Sequence, residues 1–391
     1  MSDKIRLGII GIGNMGTGHA KHVMEGLCPD FVLTAVADRN PARLEWAKDH
    51  LGDGVACFGE ALPMLDSGLI DACIVAVPHY DHPALAMECM RRGIHVMVEK
   101  PAGVYTLQVR EMNEEAAKHP DVVFGMMFNQ RTNCIYRKMH ELVHSGQYGR
   151  IRRTNWIITN WYRPQAYYDS GDWRATWAGE GGGVLLNQCP HQLDLWQWIC
   201  GMPSKVRTSM HFGKWHDIEV EDDVTTYVEY ENGATGVFVT TTGDARGTNR
   251  FEIQMDKAKI VAEDDRLYVL EYDMTEPAFS AENKIPFGVI PAHEVEVELD
   301  GQNPQHVGVL NAWGGAILRG TELVAHGSEG INGLMISNAM HLSAFLDKTV
   351  TLPIDEELFR DELMKRVATS RRKEGGAAVI ADTSSSYGGA K

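Results

Sequence analysis

The sequence predicts two consecutive architectures: an α/β domain with a parallel sheet, then an α+β domain with a large, mostly antiparallel open sheet. Three observations support this prediction. Short apolar runs alternate with helical stretches up to residue 128. From residue 129 onward, longer runs alternate apolar and polar residues with a period of two. Between two of those runs, Asn232-Gly233 is typical of a tight β-hairpin.

The strands of the first part are nearly continuous apolar runs, which indicates a parallel sheet covered on both faces. The predicted strands are Ile5–Ile10, Phe31–Ala37, Ala72–Val77, Ile94–Val98 and Val122–Met127. The predicted helices between and after them are Thr17–Leu27, Pro41–His50, Pro83–Arg92 and Leu107–Lys118.

The second part has the alternation of a sheet with one buried face. Its predicted strands are Arg152–Trp161, Lys205–Trp215, Thr225–Glu231, Ala234–Thr241, Phe251–Met255, Arg266–Tyr272 and Glu294–Leu299. Its predicted helices are Tyr136–Ser145, a helix opening at Pro190, Ile331–Leu346 and Glu356–Thr369. We therefore expect domains at residues 1–128 and 129–370, and a flexible tail of small, polar residues at 371–391.

The composition excludes several classes of partner. The chain has 391 residues, with 53 acidic against 37 basic side chains and a net charge of −16, so we expect neither nucleic acid nor an anionic membrane as a partner. No apolar run approaches the roughly 18 residues of a membrane-spanning helix. Seven cysteines without a Cys-x-x-Cys pair favour neither disulfides nor a metal site. The expected location is the cytoplasm.

A glycine-rich motif, Gly11-Ile12-Gly13-Asn14-Met15-Gly16, lies between the first predicted strand and helix. Its three glycines suit a tight turn, a close approach of a pyrophosphate and close helix–strand packing, respectively. Asp38 ends the second strand, where a carboxylate can bind both ribose hydroxyls. This combination predicts a Rossmann domain that binds NAD. Because Arg39 could accept a 2′-phosphate, NADP remains possible, although Arg39 could equally be a solvated loop charge.

Two further motifs carry candidate catalytic residues. Glu99-Lys100-Pro101 follows a parallel strand directly, so Lys100 should point to the ligand crevice, where confinement near another cation would lower its pKa and let it exchange a proton with a hydroxyl. The stretch Gly181–Leu195 contains Asn187 and His191. If Pro190 opens a helix, His191 lies in the first turn and tends toward the neutral form, while Asp194 could orient it. Taken singly, a surface lysine and a structural histidine would be the more ordinary interpretations.

Taken together, Glu99-Lys100-Pro101, Trp173-Arg174 before a glycine-rich turn, and His191-x-x-Asp194 resemble the glucose–fructose oxidoreductase/inositol dehydrogenase/MocA (Gfo/Idh/MocA) family. The resemblance covers residues 5–370. It implies a two-domain pyridine-nucleotide oxidoreductase of sugars or polyols, which forms homodimers or homotetramers through the open sheet. Lys100 and His191 then match the family's catalytic positions. The implied cofactor contacts are Val77, Pro78, His82, Glu99, Lys100, Pro101, Asn129, Trp173 and Arg174.

One residue departs from the family pattern. Many members carry an aspartate four residues before the histidine, whereas this chain has Asn187, and an amide cannot act as a base at neutral pH. We therefore expect the proton transfer to fall on Lys100 and His191, and Asn187 to position a hydroxyl.

Aromatic residues are densest between Asn160 and Trp177, directly before the His191 motif. Aromatic rings stack on the C–H faces of sugar rings, although each could also fill a core or an interface. Tyr162, Arg163 and Trp173 are the first candidates for substrate contacts, beside Lys100, Asn187 and His191.

The leading hypothesis is reversible NAD-dependent oxidation of a secondary hydroxyl on a cyclic sugar, glycoside or polyol, with Lys100 taking the proton. A second hypothesis keeps the same site but uses a keto-sugar intermediate for redox-neutral glycoside cleavage. A third is a non-catalytic nucleotide sensor on the same fold.

Overall fold

The computed structural model describes residues 4–371, and its first part confirms the predicted parallel sheet. Six strands pair in the order β3-β2-β1-β4-β5-β6, and every pairing is parallel. The strands are β1 (Ile5–Ile10), β2 (Phe31–Ala37), β3 (Ala56–Phe58), β4 (Ala72–Val75), β5 (His95–Val98) and β6 (Phe124–Met126). The strand order reverses between β1 and β4, which is where a doubly wound fold binds ligands.

Helices cover both faces of this sheet, as expected from its apolar strands. They are α1 (Asn14–Met24), α2 (Pro41–Leu51), α3 (Ala61–Leu65), α4 (His82–Arg91) and α5 (Thr106–Ala117). α2 begins where the Asn40 side chain accepts a hydrogen bond from the main-chain N–H of Ala42, and Pro41 occupies its first turn. β3 and α3 were not predicted, because both are too short to show a clear periodicity.

The second part contains a nine-stranded sheet in the order β14-β13-β12-β11-β7-β10-β9-β8-β15. Only the β7–β10 pairing is parallel, so the predicted mostly antiparallel sheet is confirmed. The strands are β7 (Ile151–Ile158), β8 (Lys205–Phe212), β9 (Glu221–Glu229), β10 (Thr235–Thr241), β11 (Asn249–Met255), β12 (Ala258–Glu263), β13 (Arg266–Tyr272), β14 (Ala292–Glu296) and β15 (Val350–Thr351).

Seven α-helices follow β6 in residues 4–371, and they pack on one another, on the large sheet and on the first part. They are α6 (Cys134–His144), α7 (Gln165–Asp169), α8 (Pro190–Cys200), α9 (Glu276–Glu282), α10 (Gln305–Arg319), α11 (Gly330–Leu346) and α12 (Glu356–Val367). α11 is apolar nearly all round and contacts α8, β8 and α5, so it is a core helix that joins both parts. No helix in residues 4–371 is both long and apolar enough to span a bilayer.

The main difference from the predicted elements is α10. Three glycines at 308, 314 and 315 weaken its helical signal, yet it runs for 15 residues because its apolar side packs onto the first sheet. Trp313 is fully buried and stacks on Phe31 of β2 at a centroid distance of 5.3 Å. Packing against another part of the chain therefore overrides the weak local propensity. The domain division at residue 128 stays a prediction, and residues 372–391 of the predicted tail lie outside the described residues.

Candidate active site

A cavity of about 1650 Å³ lies between the carboxyl ends of the parallel strands and the second part. Its size exceeds the roughly 300–1,000 Å³ typical of small-molecule pockets, so a dinucleotide and a second ligand fit together. Most of the cofactor, catalytic and substrate residues predicted from the sequence line this cavity. They are Gly11, Gly13, Asn14, Met15, Asp38, Arg39, Val77, Pro78, His82, Glu99, Lys100, Tyr162, Arg163, Trp173, Arg174, Asn187 and His191.

The three glycines of the turn between β1 and α1 differ in the space that surrounds them. Gly11 has a φ of +92°, and a Cβ there would lie 2.4 Å from the Ala76 carbonyl oxygen. A Cβ on Gly16 would lie 1.8 Å from the Gly11 oxygen, so helix and turn touch. A Cβ on Gly13 would meet no atom within 4 Å. The open side of the turn thus fits a pyrophosphate at the N-terminus of α1.

Two polar groups beside this turn match the rest of a dinucleotide. Asp38 accepts hydrogen bonds from the main-chain N–H groups of Ile12 and Asn40, each at 2.8 Å, which fixes the carboxylate at the end of β2. The Oδ1 atom of Asn14 is buried without a hydrogen-bond partner among residues 4–371. An orphaned buried oxygen in a ligand cavity is accounted for when a ligand donor reaches it.

Arg39 pairs with Glu60, at 3.2 Å between Nε and Oε2, and both side chains are largely exposed. A 2′-phosphate would have to compete with Glu60 for Arg39 while lying near the Asp38 carboxylate. Repulsion from both carboxylates therefore favours NAD over NADP at this corner.

The Glu99-Lys100-Pro101 segment is held by buried contacts on both sides. Burial raises the pKa of Glu99, but the hydrogen bond with His19, at 2.6 Å, and the charges of His19, His306 and Lys100 together lower that pKa to about 2. His82 lies with its ring nitrogens 2.7 Å from the Pro101 carbonyl and 2.8 Å from the Val77 carbonyl. The carboxylate and the imidazole thus fix the segment that carries Lys100.

Lys100 points into the cavity and donates a hydrogen bond from Nζ to the main-chain carbonyl of Asn187 at 3.0 Å. Burial lowers the pKa of Lys100, against the opposing effect of the Glu99 carboxylate. The guanidinium groups of Arg174 and Arg163 lower that pKa further. A lysine in this environment is a candidate base for a ligand hydroxyl.

His191 lies in the first turn of α8, as predicted, and its ring is buried with an edge toward Phe128. Burial lowers the pKa of His191 well below its ordinary value, and the charge of Lys100 acts in the same direction. Asp194, three residues on, accepts a bidentate pair of hydrogen bonds from Arg131 at 2.6 and 2.8 Å. The suggestion that Asp194 orients His191 stays a prediction.

The aromatic stretch supplies another part of the cavity lining. Tyr167 is not among the first candidates from sequence, yet its ring contacts two guanidinium groups, with Arg163 and Arg174 at 5.3 and 4.7 Å from the ring centroid. Trp173 packs edge-on against His79 at 5.8 Å, and Tyr162 is 44% exposed at the cavity. These side chains place aromatic faces and cations around the space next to Lys100.

Four residues of the predicted cofactor set are not among those lining the cavity. Ile12 and Gly16 are buried parts of the turn, and Pro101 follows Lys100 through a cis peptide bond. Asn129 is fully buried after β6, where its Nδ2 donates to Gln305 of α10 at 2.6 Å. The structure therefore brings Asn129 to α10, and its predicted contact with the cofactor stays a prediction.

One charged side chain of this region carried no role in the sequence analysis. Glu180 is 2% exposed and directly precedes Gly181-Gly182-Gly183. Its carboxylate accepts hydrogen bonds from the main-chain N–H of Ala175, at 2.6 Å, and from Nδ2 of Asn187. Its position next to the three glycines was a signal that could have drawn attention to it.

A third histidine joins the pair His19 and His22, which lie three residues apart on α1. The ring of His306 on α10 is 5.5 Å from His19 and 6.4 Å from His22 between centroids. Even so, residues 4–371 include no group of three or more His, Cys, Asp or Glu side chains arranged to hold a metal ion.

Family models match both parts of the chain. A model described as an oxidoreductase family with an NAD-binding Rossmann fold matches residues 5–126. A model described as the GFO/IDH/MocA C-terminal domain matches residues 136–261.

Characterised relatives and solved structures also match this chain over much of its length. Myo-inositol 2-dehydrogenase of Thermotoga maritima is 26% identical over 270 residues, which cover 67% of this chain and 76% of the relative. The NAD-dependent scyllo-inositol 2-dehydrogenase of Bacillus subtilis is 22% identical over 60% of this chain and 67% of its own. The WlbA dehydrogenase of Bordetella pertussis, solved with NADH and UDP-GlcNAcA, has a TM-score of 0.75 at 24% identity, covering 90% of this chain and all of the other. A levoglucosan dehydrogenase solved with NADH has a TM-score of 0.74 at 19% identity, with 90% and 100% covered. At these identities, the two structures show the shared fold alone.

Proposed function

Since the chain belongs to the Gfo/Idh/MocA family of NAD-binding oxidoreductases, we propose that it reversibly oxidises a secondary hydroxyl on a cyclic sugar, glycoside or polyol with NAD⁺. One observation carries the proposal. Lys100, with its pKa lowered by burial, shares one cavity with His191, Asn187 and the glycine turn. The inositol dehydrogenases among the relatives support the substrate class.

The residues of this chain have separate tasks in the proposed reaction. When bound, NAD⁺ supplies the hydride acceptor. The glycine turn, Asn14 and Asp38 hold its phosphates and ribose, and Glu99, Trp173 and Arg174 lie on the path toward Lys100. Lys100 in its neutral form accepts the hydroxyl proton, and because burial lowers the pKa of Lys100, that form is available at a lower pH than in an exposed lysine. His191 and Asn187 hydrogen-bond ring hydroxyls, with Tyr162 and Arg163 on the outer side.

The test is reduction of NAD⁺ and NADP⁺ across a panel of free sugars, inositols, anhydrosugars and aryl glycosides, with aglycone release followed in parallel. NADH formation on one class supports the dehydrogenase. Aglycone release without net NADH would instead support the redox-neutral glycoside cleavage. If neither NADH formation nor aglycone release is detected while the protein still binds NADH, the result would favour a non-catalytic sensor.

Replacement of Lys100 tests its role directly. Lys100→Met should lower kcat/KM by about 10²–10⁴-fold, since that is the usual contribution of one general base. NADH affinity, measured by fluorescence, should stay within a few-fold of the wild type. The exposed Lys118, which pairs with Glu115 at the end of α5, provides the matched control Lys118→Met. Retained turnover in Lys100→Met would refute the assignment.

A further inference from the structure

Glu180 is a buried carboxylate between the two segments that carry candidate site residues. It follows the Trp173-Arg174 turn and precedes the glycines that lead to Asn187. Its main-chain N–H donates to the Thr176 carbonyl at 2.9 Å, which fixes its backbone in a tight turn. Because the side chain is only 2% exposed, both carboxylate oxygens need hydrogen-bond donors from the protein or from a ligand.

Both oxygens have specific partners. Oε2 accepts the N–H of Ala175 at 2.6 Å, and Ala175 has a φ of +55°, a left-handed conformation that an alanine rarely adopts. Oε1 accepts a hydrogen bond from Nδ2 of Asn187. One side chain thus connects the strained turn after Arg174 with the amide four residues before His191.

The partner of Asn187 determines which way its amide faces. A carboxylate only accepts hydrogen bonds, whereas a side-chain amide has a donor end and an acceptor end. Nδ2 must therefore face Glu180, and Oδ1 must face the other way. Asn187 lines the cavity, and its main-chain carbonyl already binds Nζ of Lys100 at 3.0 Å. The amide is therefore held beside the lysine with a fixed polarity.

We propose that Glu180 is a positioning residue that orients the Asn187 amide so that Oδ1 accepts a hydrogen bond from a substrate hydroxyl adjacent to the one that reacts at Lys100. The inference rests on the proposed function and narrows it, because it requires a ring with neighbouring hydroxyls. The reacting hydroxyl gives its proton to Lys100, so Oδ1 serves the adjacent hydroxyl, which donates to it.

Two single substitutions and their combination test this orientation. In Glu180→Gln the Ala175 N–H still requires an oxygen, so the new amide turns its nitrogen to Asn187 and forces Asn187 to present Nδ2 to the cavity. In Asn187→Asp two carboxylates meet, and one must take up a proton. In the combined variant the introduced glutamine donates to the introduced aspartate, whose second oxygen again faces the cavity as an acceptor.

The expected pattern is loss followed by rescue. Each single substitution should lower kcat/KM about ten-fold, the effect of one hydrogen bond. The combined variant should return to within about three-fold of the wild type, because donor and acceptor are matched again. Glu219→Gln is the matched control, since the Glu219 carboxylate binds Trp177 and Ser370 in the same region. If the fold-losses in kcat/KM of the two single variants multiply in the combined variant, the proposal is overturned.

A spectroscopic measurement decides the point without turnover. With ¹⁵N-labelled asparagine, the side-chain NH₂ signals of Asn187 are identified by their loss in Asn187→Asp. They should shift in Glu180→Gln and stay in place in Glu219→Gln. Unchanged Asn187 signals in Glu180→Gln would refute the proposal even if the wild type turns over. If the wild type oxidises no compound in the panel, the proposed function fails, while the NMR comparison still tests the orientation.

Discussion

Three glycines within six residues, each changed to alanine, should have three different effects. Gly13, Gly16 and Gly18 lie at the start of α1, where they differ in what a new methyl group would meet. The comparison distinguishes a glycine that is required for packing of the fold from a glycine that is required for ligand binding.

Gly16→Ala should damage both the fold and the binding site. The added Cβ would lie 1.8 Å from the Gly11 carbonyl oxygen and 3.0 Å from its carbon, against ordinary contacts of 3.4–4 Å. The obstacle is backbone, so α1 must move away from the turn by about 1.5 Å, a packing error that costs about 1–3 kcal/mol or more. Because the N–H groups at the helix N-terminus move with it, NADH should bind at least about ten-fold more weakly.

Gly18→Ala and Gly13→Ala are the two comparisons. A Cβ at Gly18 meets nothing within 4 Å inside the helix, so alanine should stabilise the fold by about 0.5–1 kcal/mol and leave NADH binding unchanged. A Cβ at Gly13 also meets no protein atom, but it enters the open side of the turn. Gly13→Ala should therefore keep the stability of the wild type and still weaken NADH binding.

The assay pairs thermal unfolding of the apoprotein with fluorescence titration of NADH. Equal unfolding temperature and equal NADH affinity for Gly16→Ala and the wild type would refute the steric reasoning. Full NADH affinity in Gly13→Ala would refute the location of the pyrophosphate.

Three further predictions follow from the described contacts. Asp38→Ser should raise the NADP⁺/NAD⁺ ratio of kcat/KM by at least about ten-fold, since it removes a repulsion of about 1–4 kcal/mol; an unchanged ratio would show that Asp38 does not set the preference. For alcohol oxidation, kcat/KM should rise with pH as Lys100 loses its proton, and because burial lowers the pKa of Lys100, the midpoint should lie below the ordinary lysine value; a flat pH profile would contradict Lys100 as the base. Arg131→Met leaves the buried Asp194 carboxylate without its cationic partner and should cost about 3–5 kcal/mol in urea unfolding. The exposed pair of Arg137 and Asp300 is the control, since Arg137→Met should cost at most about 1 kcal/mol, and equal losses would contradict the argument from burial.

The glycine turn, Asp38, Lys100 and His191 could be located from sequence because each has a local signature. A strand before the turn and a helix after it fix the geometry of Gly11 to Gly16, and the end of a parallel strand points Lys100 at the crevice. These features depend on residues next to them in the chain. Local patterns therefore predicted the fold class, and most of the site residues predicted from them line the cavity.

Features that depend on distant residues had no such signature. α10 owes its stability to Phe31 and the first sheet, nearly 300 residues earlier, so its three glycines obscured it. Glu180 gains its importance from partners at 175 and 187 in a folded turn, which spacing alone does not reveal. Likewise, Asn129 follows the end of a parallel strand, yet its amide is bound to Gln305.

The return of α10 to the first sheet has a mechanical consequence. The chain leaves the nucleotide-binding part after β6, comes back with α10, and leaves again toward α11, so three covalent connections join the two parts. A single-hinge rotation of one part against the other would have to bend all three connections, while the stacking of Trp313 on Phe31 holds α10 to the first sheet. We therefore expect a cleft of nearly constant width, in which ligands enter by diffusion and are selected by size without a closing movement of the two parts.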